Sequence, residues 1–87
     1  MASYAVVYKP SADKALRKLP NRVQRRIVAA TEALGEDPRP RACVKLEGED
    51  NFWRIRVGQY RVVYTIQDET LIVLVVRVAH RKDVYRP

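Results

Sequence analysis

The spacing of apolar residues along this chain switches between the two-residue period of a strand and the longer period of a helix, and the switches divide it into elements. Residues 4–8 are β-rich, alternate moderately and are stopped by Pro10, which predicts a first strand. Ala12, Ala15, Leu16 and Leu19 then recur at helical spacing, with Ser11 placed to cap that helix and Pro20 to interrupt it. Val23, Ile27, Ala30 and Leu34 form a second apolar stripe, with Asn21 as its cap and Gly35 as its terminator. Residues 35–51 gather Gly35, Pro38, Pro40 and Gly48 with Glu47, Glu49 and Asp50, and read as a connecting loop. Three β-rich segments follow, at 52–57, 60–67 and 71–81, separated by Gly58-Gln59 and by Asp68-Glu69-Thr70, spacings that predict an antiparallel meander. The expected fold is α+β, ordered strand-helix-helix-strand-strand-strand, with a helical hairpin packed on a mainly antiparallel sheet. No repeat, low-complexity stretch or linker interrupts it, so residues 1–87 read as a single domain.

Parity within the strands sorts the side chains by face. Trp53, Ile55 and Val57 oppose Arg54 and Arg56 in the second strand, and Tyr60, Val62, Tyr64 and Ile66 oppose Arg61 in the third. In the last strand Ile72, Leu74, Val76 and Val78 are uniformly apolar, while the alternate set ends in Arg77, Ala79 and Arg81. The apolar sets are expected to meet the helices, leaving Arg54, Arg56, Arg61, Arg77 and Arg81 together on the other side. These strands contain no acidic residue to neutralise that charge, so an external anion is the expected counter-ion.

Composition points the same way. Lys and Arg number 17 against 10 acidic residues, a formal charge of +7, which favours a polyanionic partner, nucleic acid first. The helical segments add Lys14, Arg17, Lys18, Arg22, Arg25 and Arg26, a face that serves either as solvated surface or as a further RNA contact. Cys43 is the only cysteine, which excludes an internal disulfide and fits a reducing cytosol. Without a secretory leader pattern, and with no aliphatic run longer than residues 71–76, the chain is expected to be cytoplasmic and to make no membrane contact.

Metal-free RNA cleavage places growing negative charge on phosphoryl oxygens, and arginine meets it with two hydrogen bonds from one rigid fork. A single histidine, His80, and the lack of paired carboxylates on the basic face argue against a two-histidine or a two-metal nuclease. His80 has the opposite parity from Arg81 and reads first as a structural histidine. Tyr85, four residues beyond Arg81, is placed to move a proton, to stack on a base or to cover the sheet edge. Trp53 and the tyrosines at 4, 8, 60 and 64 fall on apolar sets and read as core.

The ordered set Lys45-Leu46-Glu47-Gly48, Trp53-Arg54-Ile55-Arg56-Val57-Gly58, Tyr60-Arg61-Val62-Val63-Tyr64 and Val78-Ala79-His80-Arg81-Lys82-Asp83-Val84-Tyr85 resembles the RelE/ParE toxin superfamily, as does the order of elements. The resemblance implies one of two activities, ribosome-dependent cleavage of messenger RNA as in RelE or gyrase poisoning as in ParE; a basic RNA-binding module without catalysis is the plainer alternative. By position, the residues that surround the scissile phosphate in RelE-like nucleases fall on Arg54, Arg56, Arg61, Arg81 and Tyr85, a set that ParE-like chains generally lack. Arg77, Lys82, His80 and Lys45 complete the expected site as substrate contacts. No cofactor or metal is implied. The implied partners are a RelB-like antitoxin, the ribosome and messenger RNA, with DNA reached only through the antitoxin. Relatives often carry lysine where this chain has Arg54 and Arg56; arginine, with a pKa above about 12, is a poor base, so proton abstraction is left to His80 or to a group from the ribosome or substrate.

Overall fold

The structure is a computed structural model, and it describes residues 3–48 and 51–82. Strand β1 (Ala5–Tyr8) leads to helices α1 (Pro10–Arg17) and α2 (Asn21–Glu36), a short strand β2 (Val44–Lys45), and strands β3 (Phe52–Val57), β4 (Tyr60–Gln67) and β5 (Ile72–His80). The sheet order is β1-β5-β4-β3-β2. The predicted meander is present as β3, β4 and β5, while β1 runs parallel to β5, so the first strand extends the sheet beyond the last. Its parallel direction follows from the helical hairpin, which carries the chain across one face before it returns.

The hairpin covers the face formed by Ile55, Val62, Tyr64, Ile66, Val73, Val75 and Val78, all buried, against Ala12, Leu16, Ile27 and Leu34. Inside this layer the Tyr64 hydroxyl donates to the Pro38 carbonyl at 2.8 Å and the Tyr8 and Thr31 hydroxyls lie 2.7 Å apart, while the Trp53 indole nitrogen is buried without a hydrogen-bond partner among the described residues. Burial pushes the Tyr64 phenol well above its ordinary pKa, and Cys43 adds to the shift.

Several sequence expectations are corrected. Lys9, rather than Ser11, precedes the first helix, and Pro10 occupies its opening turn, where its missing N–H costs nothing. Pro20, rather than Asn21, stands at the N-cap of α2, and neither helix has a side-chain cap bond. Gly35 does not end α2, which runs on to Glu36. It is a point of close approach, since a Cβ there would lie 2.8 Å from the Tyr4 carbonyl oxygen, and the Tyr4 N–H donates to the Gly35 carbonyl at 2.8 Å. The stretch 35–51 is not all loop: β2 pairs antiparallel with β3, too short to show a period.

The largest correction concerns β5. Val73, Val75 and Val78 are its buried residues, not the expected Ile72, Leu74, Val76 and Val78. Tyr64 pairs with Val75 but Val63 pairs with Arg77, so Val76 is an extra residue, a β-bulge that reverses parity along the strand. The first half of β5 therefore buries its odd-numbered residues and the second half its even-numbered Val78. Arg77, odd-numbered like Val73 and Val75, is thereby turned to the outer face. An aliphatic run apolar at both parities concealed the change.

Candidate functional site

Strand pairing assembles the arginines on the face away from the helices. Arg54, Val63 and Arg77 form one row across β3, β4 and β5, and Arg56, Arg61 and Ala79 form the next. Between these rows lies a well of about 330 Å³ walled by Arg54, Arg56, Arg61 and Arg77 over Val63 and Ala79. A second cavity of about 470 Å³ opens at the Gly58-Gln59 turn, lined by Arg56, Arg61, Arg81 and Lys82. Arg81 lies just past β5, and its N–H donates to the Gln59 carbonyl at 2.7 Å, which anchors it beside the β3–β4 turn. Gly58, at φ 59°, supplies the left-handed conformation that this two-residue turn requires.

The electrostatics are those of a crowded cation site. Partial burial lowers the Arg54 pKa from its ordinary value, with the charges of Arg56 and Arg61 lowering it further. Among the described residues, none lining either cavity is acidic. Two of the acids are engaged elsewhere, Asp13 with Arg17 and Asp68 with Arg39, each at 2.9 Å. The Nε of Arg61 is buried without a hydrogen-bond partner among the described residues. A buried donor of a charged group left unmet is costly.

Of the residues expected at the site, Arg54, Arg56, Arg61, Arg77, Arg81 and Lys82 line these two cavities. His80 borders the smaller well, but its register places it with Val57 and Tyr60 on the helix side, where its ring meets Tyr60 edge-on at 5.1 Å. Its Nδ1 accepts from the Lys82 N–H at 3.1 Å. Lys45 is not brought to the arginines: it pairs with Trp53 on the helix side, its ammonium 5.9 Å from the Trp53 ring centroid. Tyr85 lies outside the described residues.

Sequence reasoning missed that the outer face is only half basic. Beyond the Arg54 row comes an apolar row, Phe52, Thr65, Leu74 and Val7, and Phe52 shares the parity of Arg54 and Arg56, a signal that was available.

A family profile described as the ParE toxin of the type II toxin-antitoxin system parDE matches residues 6–85. Toxin RelG of Mycobacterium tuberculosis is 36% identical over 85 residues, covering 95% of this chain and 97% of RelG. Among solved structures, the archaeal RelE-RelB complex of Pyrococcus horikoshii superposes at a TM-score of 0.82 with 29% identity, over 94% of this chain and 99% of the other. The RelBE2 toxin-antitoxin complex of M. tuberculosis gives a TM-score of 0.82 with 33% identity, over 92% of this chain and 100% of that chain. The intact RelBE complex of E. coli gives 0.81 with 29% identity, over 97% and 100%.

Proposed function

This chain belongs to the RelE/ParE family of toxins of type II toxin-antitoxin systems, and from that membership we propose that its arginine face is the active surface of an endoribonuclease that cleaves messenger RNA on the ribosome and so stops translation. The observation that carries the reading is the strand register that gathers Arg54, Arg56, Arg61 and Arg77 around one cavity, with Arg81 and Lys82 lining the next. Cleavage proceeds by in-line attack of a 2′ hydroxyl on its own phosphate. Arg61 and Arg81 take up the charge that develops on the phosphoryl oxygens, while Arg54, Arg56, Arg77 and Lys82 hold the flanking backbone. The products are a 2′,3′-cyclic phosphate and a 5′ hydroxyl. Tyr85 is assigned the proton transfer or the orientation of the reacting nucleotide, and the ribosome supplies the positioning that a face without an acid-base pair lacks.

The solved relatives named above are complexes with RelB, and a RelB-like antitoxin is the proposed inhibitor, its acidic or amphipathic segment covering the basic face. DNA is then contacted only through the antitoxin, and the site of action is the cytoplasm. The ParE description of the matching profile favours a second reading, gyrase poisoning. Pulse labelling separates the two: early loss of methionine incorporation supports the nuclease, and early loss of thymidine incorporation supports the poison.

The decisive experiment is single-turnover cleavage of message on programmed ribosomes. Arg61→Ala or Arg81→Ala should slow cleavage by about 10²-fold or more with a much smaller loss of binding. Arg25→Ala, on α2, should weaken binding modestly and lower its salt dependence by about one unit. Chelators should leave the rate unchanged, and naked transcript should be cut poorly. Equal loss of binding alone in Arg61→Ala and Arg25→Ala would overturn the catalytic assignment.

A further inference from the structure

The smaller arginine well continues into a trough of about 480 Å³, with which it shares Val63, Arg77 and Ala79. Phe52, Val63, Val76 and Ala15 give this trough apolar walls, and Lys9 and Arg77 give it positive charge. The bulge at Val76 helps to form it, since that extra residue places a second side chain beside Arg77. Phe52 stands apart among the strand aromatics. Tyr8, Trp53, Tyr60 and Tyr64 all share the register of the helix-facing residues, whereas Phe52 faces outward in line with Arg54 and Arg56. It is also only partly buried, so its ring is open to a ligand.

We infer that this trough receives an unpaired nucleobase, stacked on Phe52, from the nucleotide adjoining the phosphate held by the arginines. The inference rests on the ribonuclease reading above and adds to it a base-recognition subsite. Phe52 and Arg54 are two residues apart on one face of a strand, about 7 Å, a span within the reach of a single nucleotide. A phosphate drawn into the well brings its base to the neighbouring surface. There a flat aromatic ring replaces the stacking lost when the strand is unwound from its neighbours, while nearby cations face the polar edges of the base. An aliphatic wall alone would suit a peptide as well; the outward aromatic ring beside a phosphate site favours the base.

The test uses full-length toxin and programmed ribosomes carrying messages that differ at one nucleotide flanking the cut, including an abasic position. Wild type should cleave the abasic message about tenfold more slowly than the intact one, Phe52→Tyr should behave as wild type, and Phe52→Leu should cleave both at the same reduced rate. Phe52→Leu keeps an apolar side chain at a half-exposed position, and its melting curve checks that it folds. If Phe52→Leu retains the wild-type difference between intact and abasic messages, the subsite is overturned. It is also overturned if Phe52→Leu cleaves every message normally but loses affinity for the antitoxin, which would make the trough a protein-docking surface. Failure of wild type to cut any message would instead count against the ribonuclease reading itself.

Discussion

Arg56 stands directly opposite Arg61 in the β3–β4 ladder, and Arg54 occupies the adjoining row with its pKa depressed by burial and by these same two neighbours. Like charges directly opposite one another destabilise a sheet. Among the described residues no carboxylate lines either cavity to offset that cost. Replacing one member should therefore trade function for stability. Arg54→Gln is expected to raise Tm by about 2–4 °C at low salt and to lower cleavage, with the gain in Tm shrinking as salt screens the cluster. Thermal melts at two ionic strengths, paired with the cleavage assay, check both halves of the statement. Removal of a surface arginine such as Arg25, which lies away from the cluster, should move Tm little.

At the scale of elements, the outer face depends on how closely the strands and helices are registered. The bulge at Val76 lets β5 keep Val73 and Val75 in the core while Arg77 joins Arg54 on the far side. The N-terminal end of β1 is seated by Gly35, because α2 approaches the Tyr4 carbonyl more closely than any Cβ allows. The obstacle is backbone, so it cannot rotate away. Gly35→Ala is expected to destabilise the fold by about 1–3 kcal/mol, the usual cost of overpacking, as measured by urea denaturation. Gly48→Ala provides the contrast: among the described residues nothing lies within 4 Å of its Cβ position, and its φ of 76° is strained for a side chain, for a cost of about 1 kcal/mol.

Across the whole molecule, Asp68 ties three distant segments together. Its carboxylate accepts from the Tyr4 hydroxyl at 2.6 Å and from the Arg39 guanidinium at 2.9 and 3.3 Å, so the start of the chain, the segment after α2 and the β4–β5 turn meet at one group. The hydrogen bonds from Arg39 first, and from Tyr4 next, hold Asp68 below its ordinary carboxylate pKa. A carboxylate with a depressed folded-state pKa stabilises the protein above its unfolded value of about 3.9, and that contribution is lost as pH falls through the lower folded value. Wild type should therefore lose stability below about pH 4 more steeply than Asp68→Asn. Melting temperatures measured from pH 5 downward test this, and parallel curves for the two proteins would remove Asp68 from the account.

What the chain determined locally was legible without coordinates. The two helical stripes, the prolines at 10 and 20, and the alternation of Arg54, Arg56 and Arg61 with apolar residues all follow from periods that neighbouring residues set among themselves. Residues 71–76 were not legible in this way, because valine, leucine and isoleucine at both parities satisfy either face equally. Only pairing with β4 decided that Val76 is surplus and that Arg77 turns outward. Lys45 shows the same limit: nothing near it in the sequence says that it lies across from Trp53, on the side away from the arginines. Gly35 shows it for a helix, where a residue that reads as a terminator is required instead by a carbonyl from the opening of the chain. Local propensity and alternation are properties of a few adjacent residues, whereas register and close approach are settled between segments far apart in sequence, and only the folded chain brings those together.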